Sequence, residues 1–296
     1  MDLEIPRRLD KFLADAQVGS RGEIEELGKR GCLRVNGEVV FEPRKLVDPQ
    51  SDVIEVSGRR VHLSPPQLYV LLHKPAGVVT TLSDPAGRRC ITELLPVEWQ
   101  GRVGVVGRLD KPTTGALIVT DDGDLSHLMT HPEFHVWKRY VMTVLGEPLE
   151  TDPRLEQMRS GIQLGPTLTQ PARCGVAAGS GRAGEGDSRL SEVWIELREG
   201  RNRQVRRMAS HVRLKLLHLH RATIGPIQLG DLAEGQWRLL AASEVDALYD
   251  AAGGRQTAVA RVREALKRRL EAGTLEGADL ERVRRYFDRT GTSPQS

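Results

Sequence analysis

The chain has 296 residues, 39% hydrophobic, 28% charged and only 4% aromatic, with a formal charge of +3. That balance suits one large or two moderate domains packed on Leu, Val and Ile, and the positive excess is too mild to imply a polyanionic partner unless it is clustered. Cys32, Cys90 and Cys174 lie far apart without metal-ligand spacing, and no run approaches a membrane span, so the composition argues against a structural zinc site and a membrane anchor and for a cytoplasmic protein with reduced thiols.

Residues 1–62 are expected to form a small unit. Leu9, Phe12, Leu13 and Ala16 share one helical face. Ser20-Arg21-Gly22-Glu23 has the form of a capping box, and Ile24 and Leu27 continue a buried stripe. Lys29 and Arg30 fall in the last turn, where cations complement the helix dipole, and Gly31 supplies a left-handed stop. The run 32-CLRVNGEVV-40 reads as strand, Asn36-Gly37 turn and strand, because both positions of that turn need φ > 0, and 52-DVIEV-56 adds another strand.

Pro65 and Pro66 cannot continue a sheet ladder, which makes 63–67 a linker. Residues 68–252 form a second, larger domain. Its strands are expected at 68–75, 103–106, 115–120, 139–146, 192–200 and 215–225, and its helices at 124–131, 152–161 and 202–212. Without a regular βαβ alternation the pattern is α+β on a mostly antiparallel sheet. The Gly/Ser-rich stretch 178–189 is expected to be a mobile loop. Gly253-Gly254 opens a basic extension, 253–296, read as solvated, with an amphipathic helix through Val259, Val262, Leu266 and Leu270 as the alternative.

The densest charge lies at 198-REGRNRQVRRMASHVRLK-215, where seven Arg or Lys residues face one acid, Glu199. With Asn202 as helix cap, Val205, Met208 and Val212 turn to the core, Arg203 and Arg207 project together, and Arg206 lies nearer the buried edge. These like charges lack acids at i+4 to relieve them, an arrangement that suits a polyanion supplying the missing charge. Arg8, Lys11, Arg21, Lys29, Arg30 and Arg34 add to it from the N-terminal unit. Against this basic background, Asp110 stands beside Arg108 at the end of an apolar strand and before a Thr-Thr-Gly turn.

Several ordered motifs together resemble the bacterial ribosomal RNA pseudouridine synthases that carry an N-terminal S4 RNA-binding domain. Residues 8-RLDKFL-13, 18-VGSRGEIE-25 and 35-VNGEVV-40 resemble the S4 module. The stretches 74-KPAGVVTT-81, 107-GRLDKPTTGALIVTDDGDLSH-127, Lys138-Arg139-Tyr140 and 199-EGRNRQVRRM-208 resemble successive motifs of the catalytic domain. Pro112 departs from the acidic residue common there. The resemblance runs from about Arg8 to Leu240 and implies a small S4-type α/β domain followed by a mixed, mostly antiparallel synthase domain.

The resemblance further implies catalysis by Asp110, with Arg206 as its guanidinium partner and Tyr140 packing on the target base. A carboxylate pressed against a nucleotide stays ionised only with a cation beside it. RNA contacts are expected from Arg8, Lys11, Ser20, Arg21, Lys29, Arg30, Asn36, Lys74, Arg108, Arg201, Asn202, Arg203, Gln204 and Arg207. The isomerisation detaches the uracil from its ribose and rejoins it through C5, so no metal or cofactor is expected; the partner is ribosomal RNA or an assembly intermediate, met by a monomer. The basic motif resembles the large-subunit (23S) branch, while Thr113-Thr114-Gly115 and Asp121-Asp122-Gly123 resemble the small-subunit (16S) branch; the large subunit is the slight preference.

Two other readings compete. Asp121, Asp122, Asp124 and His127 could ligate a metal in a hydrolase, though DDGD before a helical run also reads as a turn and N-cap. The chain could also be a non-catalytic S4-type RNA-binding protein of ribosome assembly, for which an acid at position 110 has no use. His218 and His220 alternate on a strand and are read as structural.

Overall fold

The computed structural model describes residues 5–63, 68–134, 136–177, 182–183 and 189–290. The stretch expected to be a mobile loop and the linker residues 64–67 lie almost wholly outside the described residues. Near the N-terminus, helices α1 (Leu9–Asp15) and α2 (Arg21–Lys29) pack on a four-stranded sheet. Leu9, Phe12, Leu13, Ile24, Leu33 and Ile54 close its core. Ser20 and Glu23 exchange hydrogen bonds as a capping box. Asn36 and Gly37 turn the hairpin at φ +54° and +84°, the left-handed values this turn requires.

The larger unit is built on a ten-stranded sheet. Its main path runs Arg173–Val176, Arg189–Leu197, Lys138–Leu145, Leu216–Ile224, Thr114–Thr120, Tyr69–Lys74 and Trp237–Leu239. Every neighbouring pair on this path is antiparallel except Leu216–Ile224 with Thr114–Thr120, which run parallel through only His220↔Thr114 and Arg221↔Gly115. Two antiparallel halves therefore meet at a short parallel seam.

Each half has its own core. Helices α4 (Pro153–Ser160) and α5 (Gln204–His211) cover one half, burying Met142, Ile195, Val205 and Met208. The other half is buried on both faces. Leu71 and Ile118 meet α3 (Gly123–Thr130) and α6 (Ala242–Ala251) on one side, while Val70, Leu72, Leu117 and Val119 meet Val78, Ile91 and Val103 on the other. This is why 68–75 and 115–120 read as continuous apolar runs rather than alternating ones.

The C-terminal extension departs from the solvated reading. It folds into α7 (Arg255–Glu271) and α8 (Gly277–Thr290). Val283, Tyr286 and Phe287, spaced i, i+3, i+4, are buried in a cluster with Leu266 and Leu275 of the extension and Ile5 and Leu46 of the N-terminal unit. From α8, Arg282 Nε donates to Asp52 Oδ2 (2.6 Å) and Arg289 pairs with Asp48 (3.2 Å). From α7, Arg255 pairs with Asp246 and lies over the Tyr249 ring, while Arg261 pairs with Glu133 and lies over Phe134. One helix thus grips the N-terminal unit and the other the larger one.

Candidate active site

Register brings the motifs together. Lys74, Gly115, Arg221, Tyr140 and Ile195 fall in one row across five strands, through successive pairings. Gly115 sits at the seam with φ +117°, and a Cβ there would lie 2.3 Å from the Arg221 carbonyl oxygen. Only glycine lets these two strands approach so closely. The loop carrying Asp110 leaves the strand Gly104–Val106 and enters the seam strand at Thr114.

The stretch 74–81 is the brace of that loop. The Lys74 ammonium donates to the carbonyl oxygens of Pro75 (2.9 Å), Lys111 (3.3 Å) and Thr113 (2.9 Å). Gly77 N–H donates to the Lys111 carbonyl, and Thr80 Oγ1 both donates to the Leu109 carbonyl and accepts from its N–H. Within the loop, Thr113 N–H closes a turn onto the Asp110 carbonyl (3.0 Å). The backbone on both sides of Asp110 is therefore fixed by buried donors and acceptors, the condition for holding a reacting group in place. Burial lowers the Lys74 pKa to about 8, with the Asp110 charge acting in the opposite direction.

Two arginines flank the carboxylate. Arg206 Nε lies 3.6 Å and Arg203 Nη1 3.8 Å from Asp110 Oδ2. Arg206 is anchored, since its Nη2 donates to Thr113 Oγ1 at 3.0 Å. Its side chain is 16% exposed against 51% for Arg203, so Arg206 acts through the drier medium and Arg203 is free to reach outward. Burial lowers the Arg206 pKa, with Asp110 opposing, yet a guanidinium keeps its proton. Arg203 holds a left-handed conformation at φ +50° immediately before α5, sparsely populated for a side-chain-bearing residue and typical of functional sites. Arg203, Arg206, Arg207, Ser210 and His211 line an open groove of about 450 Å³.

Three buried side-chain nitrogens lack a hydrogen-bond partner among the described residues: His73 Nε2, Arg206 Nε and Arg221 Nη2. All three belong to the seam or its immediate neighbours. Burying such nitrogens is costly. The Arg206–Asp110 contact at 3.6 Å is an ion pair without a hydrogen bond.

The expected RNA-contacting residues divide. Arg8, Arg21, Arg30, Arg108, Asn202, Arg203 and Arg207 are exposed. Lys29 is also exposed and pairs with Glu26 within α2. Lys74 is a correction: it is fully buried and spends its donors on the loop, so it does not face RNA. Gln204 is another correction; it is buried, accepts from Arg201 N–H and donates to Glu199. Arg201 is tied to Glu199 and to the carbonyls of Thr167 and Leu168. Lys11 pairs with Asp124 of the larger unit. Asn36 brackets Asp52 and the Val53 N–H, and Ser20 is used as a cap. Asn202 does not cap α5: Arg203 occupies that position, without a side-chain cap bond.

Tyr140 is half-buried against the core beneath α5. The contacts of Thr80, Thr113 and Arg221 are not legible in the sequence, because a threonine or a strand arginine carries no local signal of its long-range partner. His220 pairs with Thr114 Oγ1 at 2.9 Å and packs edge-on against His73, a structural setting. The acids of 121–124 are engaged by protein groups: Asp121 by Leu68 N–H and Arg102, Asp122 by Tyr69, Tyr249 and the start of α3, and Asp124 by Lys11. Asp124 through Lys11 and Asp121 through Gln17 tie the two units together, Asp122 braces the larger one, and no cluster of metal-holding side chains occurs among the described residues.

Comparison with known proteins agrees with this geometry. The RNA pseudouridylate synthase family model matches residues 68–211, and the S4 domain model matches residues 7–54. The chain is 37% identical over 249 residues (83% of this chain, 95% of the relative) to an uncharacterized RNA pseudouridine synthase of Aquifex aeolicus. It is 36% identical to ribosomal large subunit pseudouridine synthase B of Bacillus subtilis, over 81% of this chain and 95% of the relative. It is 35% identical to ribosomal small subunit pseudouridine synthase A of Vibrio cholerae, over 82% and 99%. A pseudouridylate synthase crystal structure superposes with a TM-score of 0.56 at 30% identity, covering 82% of this chain and 99% of that one.

Proposed function

The chain belongs to the RNA pseudouridine synthases that carry an S4 domain, and from that membership we propose that it isomerises a uridine of ribosomal RNA with Asp110 as the catalytic carboxylate. The observation that carries this reading is the placement of Asp110 between Arg203 and Arg206, beside an arginine-lined groove and on a loop held from beneath by Lys74 and Thr80. In the reaction the bond from ribose C1′ to N1 breaks, the base turns, and C1′ bonds to C5. The C5 hydrogen leaves as a proton and N1 gains one, so the product is an isomer and no electrons are exchanged.

The residues divide the work by geometry. Arg206, anchored on Thr113, holds the carboxylate in place. Arg203 and Arg207 hold the phosphates flanking a uridine that has left its stack; extrusion costs a few kcal/mol and less in a loop. Tyr140 packs against the turned base. Arg108 and Asn202 reach the same RNA from the surface. The S4 module, through Arg8, Arg21, Lys29 and Arg30, grips the RNA a second time and raises its effective concentration at Asp110. On this reading the protein acts as a cytoplasmic monomer on ribosomal RNA or an assembly intermediate. Resemblance of 199–208 to the large-subunit branch favours 23S over 16S RNA as the target.

The test is to map pseudouridines in both ribosomal RNAs from cells with and without the protein. One position, in 23S RNA, should lose its modification. Asp110→Asn should fail to restore it while binding the same RNA within about twofold. Restoration by this variant would remove Asp110 from the chemistry, and a lost site in 16S RNA would reverse the subunit preference.

A further inference from the structure

A cavity of about 280 Å³ lies where the N-terminal unit, α6 and the C-terminal extension meet. Six cations line it: Arg7, Arg8, Lys11 and Arg21 from the N-terminal unit, Arg255 and Arg269 from α7. Four of them have protein acids for partners, namely Arg7 with Asp15, Arg8 with Asp10, Lys11 with Asp124 and Arg255 with Asp246. Arg21 and Arg269 have none among the described residues, and both are exposed. They come from parts of the chain separated by more than the whole catalytic domain. Asp10 and Asp124, which pair with Arg8 and Lys11, also line it, and the rest of the wall is largely apolar, with Ile5, Val259, Val262 and Leu266; Val262 is itself exposed.

From this geometry we propose that the cavity is a composite site for one nucleotide of the RNA substrate. The phosphate is held between Arg21 and Arg269, and the sugar edge lies on the aliphatic wall. The proposal deepens the functional reading above and rests on it. It makes the C-terminal extension part of the RNA-binding surface rather than a passive appendage. Arg269 is carried to the cavity rim by a helix pair fixed at both ends, through Arg261 and Arg255 on the larger unit and Arg282 and Arg289 on the N-terminal one. The helix that bears it is therefore fixed before RNA arrives, and only the side chain remains to be ordered on binding. A phosphate between two guanidiniums that have no acidic partner among the described residues releases counterions and supplies one.

The full-length protein is titrated with a fluorescein-labelled in vitro transcribed RNA hairpin, by anisotropy, over a series of KCl concentrations. Arg21→Ala and Arg269→Ala should each weaken binding several-fold and reduce the slope of log K against log salt by about 0.7–0.9. The double variant should lose little more than either single one, because both arginines hold the same phosphate. Arg285→Ala, which removes an exposed arginine of α8 away from the cavity, should leave the slope unchanged. An unchanged slope for Arg269→Ala overturns the site, as does an equal loss in Arg285→Ala, which means diffuse attraction only. A third arm adds inorganic phosphate and follows thermal unfolding. If Arg269→Ala abolishes phosphate stabilisation yet leaves RNA affinity intact, the cavity serves a free anion and the RNA assignment falls. Pseudouridine formation by the wild type at saturating RNA is scored separately, so failure of the isomerase reading and failure of the cavity remain distinct.

Discussion

Lys74 tests whether the loop brace or an RNA contact is the role of the first catalytic-domain motif. In Lys74→Met, three carbonyl oxygens lose their shared donor. The Lys111 carbonyl keeps the Gly77 N–H, but that of Thr113 is left buried, at about 1–3 kcal/mol. The charged hydrogen bonds themselves contribute about 1.5–3 kcal/mol each. Against these losses, the variant removes a desolvated ammonium. Its fall from 10.5 to about 8 corresponds to a penalty of about 3 kcal/mol. The losses outweigh that gain, and the variant should be less stable by roughly 2–9 kcal/mol.

Turnover of the folded variant should fall as well, because a loop that drifts by an ångström misplaces Asp110, at a cost of roughly 100-fold. Tritium release from C5 of uridine-labelled RNA measures turnover, and anisotropy measures affinity. Turnover should fall about 100-fold with affinity and salt slope unchanged. Unchanged turnover with weaker, less salt-dependent binding would refute the brace and restore a phosphate role. Linkage offers a second check. The folded pKa of Lys74 lies below its unfolded value, so the unfolded chain binds more protons between pH 8 and 10.5. Wild-type stability relative to Lys74→Met should accordingly rise with pH across that window, by up to about 3 kcal/mol, and be flat below it.

Thr113→Val removes the hydroxyl on which Arg206 rests and should lower turnover about tenfold at unchanged RNA affinity; reduced affinity instead would mean that Arg206 binds RNA directly. Gly115→Ala places a Cβ 2.3 Å from the Arg221 oxygen at φ +117°, and should destabilise by more than about 3 kcal/mol in urea melts. Arg282→Met leaves Asp52 buried without its guanidinium and should cost about 3–5 kcal/mol. If α8 is instead a dispensable appendage, that variant will melt with the wild type.

Much of this molecule is written in local sequence. The capping box at Ser20, the Asn36-Gly37 hairpin, the apolar runs at 68–75 and 115–120 and the inward face of α5 are set by interactions within a few residues. Local spacing also locates Asp110 and the arginine-rich helix start, because a lone acid and an uncompensated cationic run are visible without coordinates.

What tertiary structure decides is where long side chains end. A lysine reads alike whether it reaches into solvent, as Lys29 does, or turns inward onto carbonyl oxygens 37 and 39 residues away, as Lys74 does. Only the sheet register sets Lys74, Gly115, Arg221 and Tyr140 in one row, and only the packing of α5 brings Arg203 and Arg206 to either side of Asp110. The fate of the C-terminal extension is equally non-local. Its helices are stable where they lie because Ile5, Leu46, Asp48 and Asp52, more than two hundred residues away, complete their apolar face and neutralise their arginines. Helical periodicity can announce a buried face, but it carries no address for the surface that will bury it.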